Sequence, residues 1–245
     1  MMGTMATQSH ATGLHCMSRI DKIVVFDVES TGVDVFEDRI VTAFIGVMLP
    51  DGTFEDKWSY LINPGIDIPE GASDIHGITT EKAQAEGIDA KDGIFSILQR
   101  LDILDRQNLL LVAYNASYDL STLKAEAERY GFRPYEPKFV VDPFVIDKQI
   151  DKYRRGKRTL TVTAAHYGID IENAHNAEDD CIAAGKLAFA LINVHLPAVY
   201  NRTTLHQAQI GWAKEQAAGL EKHFRKTDDS VRIDGTWPIR SKAAA

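Results

Sequence analysis

The sequence predicts an α/β fold: a mixed five-stranded sheet, formed by a three-stranded antiparallel meander and further parallel strands, flanked by helices. Two observations carry that expectation. Three β-rich segments follow each other closely, with turn residues Pro50-Asp51-Gly52 between the second and third and Asn63-Pro64-Gly65 ending the third. Beyond them, helical and strand-like segments alternate, and parallel neighbours need such helical crossovers.

The first strand is the apolar, β-branched run Ile23 to Val28; the second is Arg39 to Leu49. The third, Phe54 to Ile62, sets Trp58, Tyr60 and Ile62 on one face. Thr79 or Thr80 caps a short helix. Ile94, Ile97, Leu98, Leu101 and Leu104 recur at helical spacing and define an amphipathic helix over 90–106. Leu109 to Ala113 is a buried strand, and Ser117 to Tyr130 a helix stopped by Gly131. Phe139 to Val141 is a short strand, and Asp142-Pro143 starts a helix. Helices are also expected over Thr159 to Tyr167, Ala177 to Val194 and 203–224. On the last of these, Trp212 and Leu220 are expected to dock on the domain, with Lys214, Lys222, Arg225 and Lys226 along the same helix.

The expected organisation is a disordered leader over 1–19, with Met17 as an alternative start, a folded domain over 20–197, a helical extension over 198–226 and a loose tail over 227–245. The leader lacks the apolar core of a signal peptide. No apolar run approaches the roughly 18–20 residues that cross a bilayer, so no membrane partner is expected. The two cysteines, Cys16 and Cys181, show no metal-ligand spacing and do not suggest a disulfide scaffold; a reducing, cytoplasmic setting is the expectation. A net charge of −8 argues against a protein that coats nucleic acid through its overall charge, but not against an enzyme with one basic strip.

Such a strip exists. Between Lys148 and Arg158 stand six Lys or Arg and one Asp, and Arg154, Arg155, Lys157 and Arg158 are the best candidates to track phosphates. A solvated helix end is the alternative.

The chemistry-bearing residues are four carboxylates and a histidine. Asp27 and Glu29 are two apart on a strand and point the same way, where their mutual repulsion would be relieved by a divalent cation. Asp119 follows on a helix start, and His175 and Asp180 flank another. Carboxylates suit Mg²⁺ or Mn²⁺, and a histidine beside them can act as a general base. Taken singly, each has a plainer role: a turn cap for Asp27 or Glu29, a dipole-favoured first-turn acid for Asp119 or Asp180, a polar loop residue for His175. Asn115 could cap the helix that follows it or hold a substrate group.

Together, Phe26-Asp27-Val28-Glu29-Ser30-Thr31-Gly32, Tyr114-Asn115-Ala116-Ser117-Tyr118-Asp119 and His175-Asn176-Ala177-Glu178-Asp179-Asp180 resemble the DnaQ-like 3′→5′ exonucleases of the DEDD superfamily, over about residues 21–195. Histidine stands five residues before the last aspartate, and Asn176 occupies the place of the sister branch's tyrosine, so the resemblance is to the histidine (DEDDh) branch. Ile75-His76-Gly77-Ile78-Thr79 resembles a segment common after the third strand of that family, which makes His76 a candidate substrate contact.

The resemblance implies a ribonuclease-H-like fold and hydrolysis of single-stranded 3′ ends, DNA in preference to RNA, releasing nucleoside 5′-monophosphates with two Mg²⁺ or Mn²⁺ ions. Asp27, Glu29 and Asp180 would hold the ion beside the attacking water. Asp27 and Asp119 would serve the second ion. His175 would take the water's proton, and activity would fall as pH drops through its pKa. Thr31 and Gly32 would meet the terminal nucleotide. Apart from the resemblance, Val33 and Phe36 could stack on its base, with a place in the core as the alternative for Phe36. A DNA polymerase partner is implied if the role is proofreading; a free-standing trimming enzyme, an RNA-directed exonuclease of the oligoribonuclease or RNase T kind, and a non-catalytic nucleic-acid-binding subunit are the alternatives.

Overall fold

A computed structural model describes residues 20–171 and 177–242. Six strands form one mixed sheet in the order β4-β3-β2-β1-β5-β6. They are β1 (Ile23–Ser30), β2 (Ile40–Met48), β3 (Phe54–Asn63), β4 (Ile88–Asp89), β5 (Leu110–Val112) and β6 (Val140–Val141). β1, β2 and β3 are the antiparallel meander; β5 and β6 continue the sheet parallel to β1. The sheet exceeds the expected five strands by β4, a two-residue strand parallel to the end of β3. So short a segment has no periodicity to read.

The helices are α1 (Glu70–His76), α2 (Thr80–Glu86), α3 (Ala90–Asp105), α4 (Ser117–Arg129), α5 (Pro143–Ile150), α6 (Leu160–His166), α7 (Ala177–Ala190, continued by one π-helical turn, Leu191–His195) and α8 (Arg202–Phe224). Local chemistry sets their ends. The Thr79 hydroxyl accepts Lys82 N–H at α2. The Asp142 carboxylate accepts Phe144 N–H ahead of Pro143 at α5. Gly131 follows α4 with φ +72°, the left-handed region that glycine enters without penalty. The α1 helix buries no side chain, which is why no apolar period announces it.

The alternation along β1 divides the core. Val24, Phe26 and Val28 pack on the side of α3 and α4, where Ile94, Ile97, Leu101, Leu120 and Leu123 meet them. Ile23 and Val25 pack on the side of α7, with Leu187 and Ala188. Gly185 lets α7 lie close on the sheet, since a Cβ there would stand 2.3 Å from the Met48 methyl and 3.0 Å from Val25.

The α8 helix docks through Trp212, as expected, but not through Leu220. Leu205 and Gln209 are fully buried and Trp212 packs on the core, whereas Leu220 is 42% exposed. The spacing 205, 209, 212 defines the buried stripe, and Leu220 lies about two turns beyond it. The expected loose tail carries no helix or strand from Asp228 to Lys242, yet it packs. Trp237 is buried in the α3–α4 core and Arg240 N–H donates to Ser121 Oγ at 2.8 Å. Within the described residues no helix is long and apolar enough to cross a membrane.

Candidate active site

Strands β1, β5 and β6 run parallel, so their carboxyl ends open at one edge of the sheet, where ligands of open α/β sheets bind. Asp27 and Glu29 lie at that end of β1. Counting by twos from Ile23 and Val25 places both on the α7 side, and Asp180 sits in the first turn of α7. Asp119, in the first turn of α4, is 3% exposed, and its Oδ1 accepts Val28 N–H at 3.1 Å. Four carboxylates from one strand and two helices therefore converge at the end of β1.

Their electrostatics are those of acids brought close to one another. None of Asp27, Glu29 or Asp119 pairs with Lys or Arg among the described residues. Burial, then the Asp119, Glu29 and Asp180 charges, pushes the Asp27 carboxyl well above the usual range. Burial and then the Asp180 charge raise Glu29 to about 7. Burial raises Asp119 against the opposing Val28 hydrogen bond. Hard oxygen donors with excess negative charge are the chemistry a divalent cation suits. Among the described residues no three such side chains already stand at cage spacing; the carboxylates feel one another's charge from farther apart. Glu178, the neighbouring acid, is engaged by Lys57 at 2.6 Å.

Several residues that the sequence did not single out build this site. The Asp142 carboxylate, fully buried, accepts N–H groups from Asn115 and Ala116, both at 2.9 Å, and Trp237 Nε1–H at 3.2 Å. Burial outweighs those bonds and raises its pKa to about 6. Asp142 thus fixes the turn that launches α4 and Asp119. Gln209 holds Asp142 in turn, accepting its N–H at 2.7 Å and donating to Val140 O at 2.9 Å. Tyr118 donates its hydroxyl to Gly32 O at 2.6 Å and meets Ser30 Oγ, tying the second sequence motif to the first. Only the Asp-Pro helix start at Asp142 carried a local signal; the rest are long-range partners.

The expected substrate residues divide. Thr31 is buried, its hydroxyl donating to Asp38 at 2.9 Å and accepting Arg39 N–H at 3.0 Å, so that side chain braces the loop. Gly32 admits the same Asp38, whose carboxylate would stand 2.5 Å from a Cβ there. Val33 is 87% exposed and Phe36 partly exposed on the loop after β1. His76 lies beside Ser30, its pKa lowered by burial against a backbone hydrogen bond at Ser30, with Nδ1 accepting Ile78 N–H at 3.2 Å. Asn115 adopts φ +63°, and its side chain does not cap α4. Arg154 and Arg158 turn inward to the fully buried Asp147, at 2.6 Å and 2.5 Å, while Arg155 and Lys157 are exposed. His175 and its neighbour Asn176 lie outside the described residues.

Comparison with known proteins agrees with this architecture. A family pattern described as exonuclease matches residues 24–188. The DNA polymerase III PolC-type protein of Lacticaseibacillus paracasei is 27% identical over 214 residues, covering 85% of this chain but 14% of that protein. The chain thus spans about a seventh of that relative's length. The nuclease domain of 3′hExo, a DEDDh family member bound to rAMP, superposes with a TM-score of 0.58 at 17% identity, over 73% of this chain and 95% of that one. Exonuclease I of E. coli in complex with a dA16 oligonucleotide gives 0.60 at 17% identity, over 73% and 42%. These structures share the ribonuclease-H-like fold.

Proposed function

The chain belongs to the exonuclease family, and from that premise we propose that it is a metal-dependent 3′→5′ exonuclease of single-stranded ends, releasing nucleoside 5′-monophosphates. The observation that carries this reading is the convergence of Asp27, Glu29, Asp119 and Asp180 at the end of β1, where Asp27 and Glu29 feel the Asp180 charge and no Lys or Arg pairs with Asp27, Glu29 or Asp119 among the described residues. Asp27, Glu29 and Asp180 would hold one Mg²⁺ or Mn²⁺, and Asp27 with Asp119 a second. Two such ions, when bound, stabilise charge on the attacking and leaving oxygens of an in-line displacement.

The chain's own groups do the rest. Val28 N–H orients Asp119, and Asp142 fixes the turn before it. His175, in its neutral form, takes the proton of the attacking water. Gly32, Val33, Phe36, His76 and the Asn115 amide lie along the end of β1 and its neighbouring turns and are assigned to the terminal nucleotide. The polymerase relatives support DNA as the substrate and a DNA polymerase as a partner; the nuclease domain bound to rAMP supports RNA as the second reading.

Digestion of matched 5′-labelled single-stranded DNA and RNA with Mg²⁺, Mn²⁺ or EDTA tests the proposal. A metal-dependent ladder shortening from the 3′ end is expected, faster on DNA. Binding without cleavage under every ion would replace it with a non-catalytic nucleic-acid-binding role.

A further inference from the structure

A groove opens beside the carboxylates, on the α5 side of the same sheet edge. Asn115 and Ser117, at the start of α4, line one wall; α5 contributes Phe144 and Lys148; α8 and the packed C-terminal segment form the other wall. Its volume is about 410 Å³. On shared residues Ala217, Ile233 and Gly235 it abuts a second cavity of about 580 Å³ along the end of α8, so the two form one path leading away from Asn115.

The path is basic in an acidic protein. Lys148, Arg232 and Arg240 line the inner part beside Asp142 and Asp234, and none of the three cations is in an ion pair among the described residues. Lys148 Nζ stands over the Phe144 ring at 4.7 Å, and burial, with the Arg158 charge, holds its pKa below the ordinary value against the opposing Asp142 and Asp147 charges. Lys214, Lys222, Arg225 and Lys226 line the outer part against Glu221 and Asp229. Residues 198–242 hold eight Lys or Arg and five Asp or Glu, whereas the whole chain is −8. These residues lie beyond the family pattern, which ends at 188.

We propose that this groove carries the sugar–phosphate backbone of the substrate strand beyond its reacting 3′ nucleotide, with Lys148, Arg232 and Arg240 meeting its phosphates. The inference rests on the exonuclease reading for its direction. It needs no base-specific contact, because phosphate attraction is sequence-independent. It also gives the packing of Trp237 on Asp142 a purpose, since that contact holds one wall of the groove against the turn that carries Asn115.

The test compares the full-length protein with its Arg232→Gln/Arg240→Gln double variant. Two readouts are used: hydrolysis of a long oligothymidylate against the p-nitrophenyl ester of thymidine 5′-monophosphate, and anisotropy of the labelled oligomer in EDTA across a salt series. The ratio of long-strand to ester kcat/KM should fall about ten-fold, and the slope of log K against log salt should shrink by about 1.4, the share of two phosphates on a single strand. Arg232→Lys/Arg240→Lys should recover most of that slope, which separates lost charge from lost fold. Equal affinity and equal slope in wild type and double variant would overturn the groove, and so would an oligomer that does not bind. Failure of the wild type to hydrolyse either substrate would overturn the exonuclease reading alone, because the anisotropy arm does not depend on cleavage.

Discussion

The carboxylate of Asp142 accepts the N–H of Asn115 at 2.9 Å across 27 residues, and Asn115 sits at φ +63°. A residue at the end of β6 thereby sets the backbone turn from which α4 presents Asp119. Replacement by asparagine keeps the shape but turns an NH₂ toward donors, since both carboxylate oxygens accept N–H groups here. Asp142→Asn should cost about 2–3 kcal/mol, lowering Tm by roughly 5–10 °C in a chain of this size. At a temperature where the variant is still folded, turnover should fall and the Mn²⁺ concentration for half-maximal activity should rise. A fall in Tm with unchanged metal dependence would make Asp142 a stability residue only.

Asp27 is held where its charge is opposed by burial and by Asp119, Glu29 and Asp180. A neutral residue there relieves repulsion in the metal-free protein while removing the ligand assigned to both ions. Asp27→Asn should therefore abolish cleavage, by more than about a thousand-fold, and raise Tm in EDTA by a few degrees. Retained cleavage would sink the assignment; a lowered Tm would show that the carboxylate is paired in the metal-free state.

The pH dependence of stability follows from Glu29, whose folded pKa is about 7 against an ordinary 4.5. A raised folded pKa means that folding takes up a proton, so the contribution is full below pH 4.5 and is lost as pH rises through 7. The loss is on the order of 3 kcal/mol at most. In EDTA, wild type and Glu29→Gln should melt together near pH 5, and the variant should be the more stable near pH 8. Added Mg²⁺ or Mn²⁺ should stabilise the wild type more at pH 8 than at pH 5, since binding competes with the proton. Parallel melting curves at both pH values in EDTA would contradict this reading of Glu29.

What could be read from the chain, and what could not, divides along physical lines. The stripe Ile94, Ile97, Leu98, Leu101 and Leu104 named the buried face of α3 because burial there repeats at helical spacing. Asp27 and Glu29 were legible because the two-residue period of β1 fixes which side each faces. Trp237 was not: it stands alone among turn-forming residues, and only its place opposite Asp142 explains its burial. The same holds for Gln209, a polar residue on a docking stripe, whose partners Val140 and Asp142 are about 67–69 positions away. Residues fixed by long-range hydrogen bonds leave no local period, and they form much of the support around this site.

The basic strip after α5 makes the same point with a sharper consequence. Its charges looked equivalent in sequence, but Asp147, with 0% side-chain exposure, draws Arg154 and Arg158 inward and leaves Arg155 and Lys157 at the surface. Asp147 also accepts the Tyr167 hydroxyl at 3.1 Å, so the two guanidiniums close a buried network that joins α5 to α6. Removing one guanidinium leaves Asp147 paired with the other but breaks a charge-assisted hydrogen bond to a buried carboxylate, at a cost of about 1.5–3 kcal/mol. Arg158→Gln should lower Tm by roughly 4–10 °C, with any loss of substrate affinity recovered on cooling. Arg155→Gln/Lys157→Gln should leave Tm within about a degree, because exposed charges without partners contribute little, and should flatten the salt dependence of single-strand binding if these two residues meet phosphates. A stable Arg158→Gln variant with weakened binding would reverse the division, placing the inner arginines on the substrate and the outer pair in solvent.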